Sequence, residues 1–137
     1  MIERVSHLGI AVADLDQAVH LYRDVLGLTM TSRWVAEDDG IEAASFRVGD
    51  VDIELMQALD DTSPVAKYVA KRGEGIHHVA FAVDDVAATL DDARARGLEA
   101  IDERPRTGGG GRTRVAFLHP RTMHGVLTEL EQHVDGD

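Results

Sequence analysis

Two histidines and two glutamates recur at matching places in this chain. His7 opens the stretch HLGIAV and His78 opens HVAFAV, while Glu54 lies in VDIELM and Glu129 in GVLTEL. Neutral imidazoles and carboxylates together suit a hard or borderline divalent cation such as Co²⁺, Zn²⁺, Ni²⁺, Mn²⁺ or Mg²⁺. No cysteine occurs, which excludes thiolate ligands and disulfides alike. Water would complete the octahedron and would yield to a chelating substrate. Taken singly, each residue has a plainer use. A histidine at a strand end is more often packed or exposed than a ligand, and a lone glutamate serves a surface or a salt bridge. Coincidence would have to supply all four positions in register, and that favours a metal site.

The elements that must position these residues repeat as well. A shift of 71 residues carries His7 to His78, Val12 to Val83 and Asp14 to Asp85. After each histidine comes a strand, then a helix with an aspartate at its N-cap: Leu15, Ala18, Val19, Tyr22, Val25 and Leu26 recur at helical spacing after Asp14, and Val86–Arg96 follows Asp85. Gly27 and Gly97 mark the stops. Three strand-like runs follow each helix. They are Leu28–Ala36, Ile41–Val48 and Val51–Met56 in the first half, with a hairpin turn at Gly49-Asp50, and Leu98–Ile101, Arg112–Leu118 and Gly125–Glu131 in the second. The expected fold is α+β. It consists of two tandem βαβββ modules, about 1–59 and 73–133, in one 1–137 domain. They are joined by a linker helix over about 60–72, with Ser63 as cap and Pro64 in its first turn.

Strand parity sets the faces. Leu8, Ile10 and Val12 share one face and suit a covering helix, while His7, Gly9 and Ala11 share the other. Val79, Phe81 and Val83 oppose His78, Ala80 and Ala82 in the same way. A polar ring beside very small residues, twice over, predicts a hollow lined by His7 and His78. Glu54 points away from Val51, Ile53 and Leu55. Glu129 likewise lies opposite Val126, Thr128 and Leu130. His77 faces the other side by parity, and His20, His124 and His133 fall on helix surface, loop and tail.

Composition narrows the function. The 137 residues are 44% hydrophobic, enough for a packed core. No apolar run approaches the ~20 residues of a membrane helix, and the start MIERVSH lacks a signal-peptide layout, so a cytoplasmic protein is expected. A net charge of −11 argues against a nucleic-acid partner. The acid is mostly aspartate and the base mostly arginine, a balance that fits either a high-salt cytoplasm or a GC-rich genome.

With these residues in view the chain resembles the vicinal oxygen chelate superfamily, and within it most closely the methylmalonyl-CoA epimerase family. The stretches carrying the likeness are HLGIAVADLDQAVHLYRDVLGL, VDIELMQAL, DTSPVAKYVAKRGEGIHHVAFAVDD, DERPRTGGGGRTRVAFLHPR and GVLTELEQ. SPVAKYVAKRGEGIHHVAF and FLHPR…GVLTEL are the specific ones; the His/Glu pattern alone fits glyoxalase I equally well. The resemblance implies a rolled mixed sheet around a metal-binding cavity, ligands His7, Glu54, His78 and Glu129, and no organic cofactor. It also implies a homodimer and interconversion of (R)- and (S)-methylmalonyl-CoA in propionate metabolism.

In that chemistry the C2 proton, flanked by a thioester and a carboxylate, is removed to give a metal-chelated enolate, and two acid/base groups flank C2. Glu129 is the first candidate. Some epimerases carry a second glutamate three residues after the glycine matching Gly40; here that position is Ala43, and the neighbouring Glu42 is one residue off in parity, which ranks it low. For the CoA moiety the glycine run flanked by Arg104, Arg106, Arg112 and Arg114 is the leading candidate. Lys67, Lys71 and Arg72 form a second basic patch, and His119 and Arg121 are further substrate-binding candidates. The rival readings are a glyoxalase I-type hemithioacetal isomerase (lactoylglutathione lyase), an extradiol dioxygenase, which would use only one carboxylate on iron, and a non-catalytic small-molecule-binding member of the superfamily.

Overall fold

The computed structural model describes residues Met1–Val134. Backbone contacts divide the chain into two compact units, His7–His77 and Met1–Ser6 with His78–Asp137. The boundary differs from the one the repeat suggests. The N-terminal residues belong with the second unit because the Met1 ammonium pairs with Asp84 at 2.9 Å and Ser6 hydrogen-bonds Glu131.

The first unit holds the second part of β1 (Ile2–Ala11), α1 (Leu15–Val19), β2 (Thr29–Ala36), β3 (Ile41–Val48), β4 (Val51–Ala58) and α2 (Pro64–Arg72). Its strands run in the order β2-β3-β4-β1, antiparallel except for the parallel pair β1/β4. The second unit holds most of β5 (Gly75–Val83), then α3 (Val86–Ala95), β6 (Arg106–Gly108), β7 (Thr113–Leu118) and β8 (Thr128–His133). Its order is β5-β8-β7-β6, again with one parallel pair, β5/β8. Among the described residues no helix is long and apolar enough to cross a membrane.

The repeat persists at the level of single hydrogen bonds. Asp14 Oδ1 accepts the Gln17 N–H at 3.0 Å, and Asp85 Oδ1 accepts the Ala88 N–H at 3.1 Å. A glutamine from the last strand of each half serves the next orphan donor: Gln57 Oε1 accepts the Leu15 N–H at 2.6 Å, and Gln132 Oε1 the Val86 N–H at 2.9 Å. Each glutamine stands three residues beyond Glu54 or Glu129, so each candidate strand is tied to the start of its helix.

Both halves bury the helix against one sheet face. Val12, Leu15, Val19, Ala44, Phe46 and Leu55 form the first core; Val83, Val86, Leu90, Ala116, Leu118 and Leu130 belong to the second. The two are filled by different side chains. Tyr22 and Phe46 meet in the first with ring centroids 5.8 Å apart, whereas Ala93 and Leu118 hold the matching places in the second and leave a groove beside α3.

Several elements differ from the sequence expectation. Beyond Val19 the first helix widens into a π-helix, His20–Val25, with Leu26 N–H bonded to Leu21 O at 2.9 Å. Leu98–Ile101 forms no strand; Ala100 makes a single bridge to Leu118, and the first strand after α3 is the short Arg106–Gly108. The last strand starts later than Gly125 and runs through His133, which is therefore a strand residue and not part of a tail.

Candidate functional site

Each unit brings one of the predicted His/Glu pairs together. In the first, β1 and β4 run parallel with Gly9 beside Glu54, so His7 and Glu54 share a face. His7 Nε2 lies 3.8 Å from Glu54 Oε2, with the side chains 5% and 17% exposed. In the second, Ala80 lies beside Glu129 in the same parallel register, and His78 Nε2 stands 3.0 Å from Glu129 Oε1 at 4% and 8% exposure. The registers match, so each histidine reaches its glutamate diagonally along the pleat. Buried imidazole nitrogens directed at one buried and one half-buried carboxylate form donor sets that fit a divalent cation.

The surroundings refine the expected hollow. Ala11 does not line open space: with Ala43 and Met56 it packs under Val65 of α2, beside Tyr68 and Val69. Small residues on that face make room for the linker helix. Ser63 caps the helix as expected, with its Oγ accepting the Val65 N–H at 3.2 Å. Gly40 adopts φ +68° at the turn into β3, and a Cβ there would meet the Ser63 Cβ at 3.0 Å. Near His78 the ring of Phe117 approaches edge-on, with centroids 5.5 Å apart.

Glu42 is not brought to the His7/Glu54 face. β3 pairs with β4 without a register break, with Ser45 opposite Glu54 and Glu42 opposite Gln57. Glu42 therefore lies on the α1 side, where Arg33 Nε binds it at 2.9 Å and Arg33 Nη2 binds Asp16 at 2.7 Å. Hydrogen bonds to Glu42 and Asp16 raise the Arg33 guanidinium above its ordinary value. Ala43 occupies the opposite face, fully buried.

The remaining candidates disperse. Arg104 is exposed. Arg106 opens β6, its Nε donating to Asp102 Oδ1 at 3.3 Å and its guanidinium lying 5.6 Å from the Phe117 ring centroid. The His119 Nδ1 accepts the Arg121 N–H at 2.9 Å and so caps the following turn, and Arg121 pairs loosely with Glu99 at 3.7 Å. His77 meets Tyr68 edge-on at 4.8 Å.

Glu131 escaped the sequence reading. It is buried at 6% exposure, lies two residues beyond Glu129 on the same face of β8, and accepts a hydrogen bond from Ser6 Oγ. His133 Nε2 stands 3.5 Å from its Oε1. The parity of Glu129, Glu131 and His133 along one strand was the available signal.

Residues 6–117 match the family profile of the glyoxalase/bleomycin resistance protein/dioxygenase superfamily. The ethylmalonyl-CoA/methylmalonyl-CoA epimerase of Cereibacter sphaeroides is 35% identical over 134 residues, covering 96% of this chain and 99% of the relative. The crystal structure of methylmalonyl-CoA epimerase from Mycobacterium tuberculosis superposes with a TM-score of 0.92 at 37% identity, covering 97% of this chain and 89% of that one. The Streptomyces coelicolor methylmalonyl-CoA epimerase in complex with 2-nitronate-propionyl-CoA gives 0.93 at 37% identity, covering 98% and 99%. With its α+β architecture and duplicated His/Glu pairs, the chain belongs to the glyoxalase/bleomycin resistance protein/dioxygenase superfamily.

Proposed function

We propose that this protein is a methylmalonyl-CoA epimerase and that the His7/Glu54 pair and the His78/Glu129 pair supply its ligands for a divalent cation. The observation that carries the reading is the repeated pair, His7 with Glu54 and His78 with Glu129, in the same strand register, with both histidines and Glu129 buried and Glu54 half-buried. The epimerase relatives, similar over almost the full chain, support the substrate class. A cation held there supplies Lewis-acid stabilisation to the oxygens of a thioester and its neighbouring carboxylate.

The chain's own groups do the proton work. Glu129 takes the C2 proton of the bound thioester, and its burial near the start of β8 holds it in place. Inversion requires a proton to return on the opposite side of C2. Glu42 cannot supply it from the α1 face, so the return falls to Glu54 or to a water. We assign Arg104, His119 and Arg121, all in loops or turns, to the outlying CoA moiety rather than to the reacting carbon.

The test is one epimer of methylmalonyl-CoA incubated in D₂O with metal-loaded protein, with and without chelator. Metal-dependent inversion with deuterium at C2 is expected. Inertness there, with turnover of methylglyoxal plus glutathione, would move the function to the hemithioacetal isomerase.

A further inference from the structure

The second unit places an arginine beside the candidate ligand His78, and an aspartate organises it. Asp102 Oδ2 accepts the Phe117 N–H at 2.8 Å, and Asp102 Oδ1 accepts from Arg106 Nε at 3.3 Å. Asp102 is anchored in turn, because Arg94 of α3 donates through Nη2 to the carbonyl oxygens of Asp102 and Glu103 at 2.8 and 2.5 Å. The Arg106 guanidinium lies over the Phe117 ring, and that ring meets His78 edge-on. One aromatic ring thus separates the guanidinium from the imidazole. β6 and β7 pair Arg106 with Val115, which sets Arg106 on the face of Phe117, His78 and Glu129. Its side chain is 40% exposed and so reachable by a ligand.

We propose that Arg106, aimed by Asp102 and laid on Phe117, recognises the free carboxylate of the acyl group and selects malonyl-type thioesters over plain acyl-CoA. The assignment rests on the CoA-thioester reading above. Position decides between the two anionic ends of such a substrate. The CoA diphosphate is removed from the thioester by the whole pantetheine arm, whereas Arg106 stands one ring away from a candidate ligand of the reacting end. A guanidinium is suited to the task because its planar fork matches a carboxylate, and stacking on Phe117 holds the plane while Asp102 engages Nε. Asp102 is a positioning residue, since it fixes both the Phe117 backbone and the Arg106 side chain.

The experiment is calorimetric binding of malonyl-CoA, propionyl-CoA and free CoA to cobalt-loaded wild type, R106A, R106K and D102N, with metal content and melting temperature measured for each. R106A is expected to weaken malonyl-CoA about tenfold, the loss of one charge-assisted pair, and to leave propionyl-CoA and free CoA within about twofold. R106K should recover part of the loss as a point charge, and D102N should fall between wild type and R106A. Equal weakening of all three ligands by R106A would place Arg106 on the CoA moiety and overturn the proposal, as would unchanged malonyl-CoA affinity. Should R106A not fold, R106K decides: malonyl-CoA affinity and selectivity equal to wild type would overturn it. If wild type binds none of the three, the CoA-thioester reading fails and takes this assignment with it.

Discussion

Replacing His78 by alanine separates the two roles of the His78–Glu129 pair. The imidazole lies 3.0 Å from a carboxylate that is only 8% exposed. A hydrogen bond to a charged group contributes about 1.5–3 kcal/mol, so His78→Ala should lower metal-free stability by roughly that amount. The metal-linked part is of similar size and easier to read. A cation at a hundred times its Kd stabilises the wild type by about 2.7 kcal/mol, which for a chain of this size raises Tm by roughly 5–15 °C. His78→Ala should remove that rise. His78→Gln keeps an N–H for Glu129 and should recover much of the metal-free stability without restoring the cobalt response. The assay is thermal melting against a cobalt titration, with chelator as the reference for each variant. A cobalt-induced rise in His78→Ala equal to that of wild type would refute the assignment of His78 as a ligand.

Three further expectations rest on individual contacts. Glu42→Gln should turn over methylmalonyl-CoA at close to the wild-type rate, because Glu42 faces α1 and pairs with Arg33; a loss beyond about tenfold, more than a surface ion pair accounts for, would return Glu42 to the mechanism. Gly40→Ala should destabilise by about 1–3 kcal/mol in urea unfolding, from the strained φ of +68° and the 3.0 Å approach to Ser63, and an unchanged midpoint would show that the turn relaxes freely. Ser6→Ala removes a buried donor to Glu131 and should cost about 1–3 kcal/mol; the same urea series checks it, and a neutral result would mean that the other contacts of Glu131 suffice.

Much of this structure follows from local patterns. The period-two alternation of β1 and β5 assigns Leu8, Ile10, Val79 and Phe81 to one side and both histidines to the other, because successive side chains in a strand must alternate. Asp14, Asp85 and Ser63 stand before helical runs, and each caps as its chemistry requires. Parity likewise ranked Glu42 low as a base by turning it from the His7 face, and the β3/β4 register runs unbroken past it. Duplication added what a single motif lacks, since two halves with one register double the weight of each His/Glu pair.

What the linear pattern could not decide depends on contacts distant along the chain. Glu131 reads as one more acid of an acidic protein until Ser6, 125 residues earlier, is seen to donate to it. The first strand after α3 lies at Arg106–Gly108 rather than Leu98–Ile101, because β7 pairs with β6 over three residues while Ala100 makes only one bridge. Arg106 looks no different from Arg104 in sequence; Asp102 and Phe117 single it out. Ala11 has the small size of a cavity wall, yet α2 fills the space above it. Alternation, capping and repetition are short-range constraints written into neighbouring residues. The partner of a buried charge, the pairing of a short edge strand and the filling of a hollow are set by whichever distant segment packs there, and only the folded chain decides which segment that is.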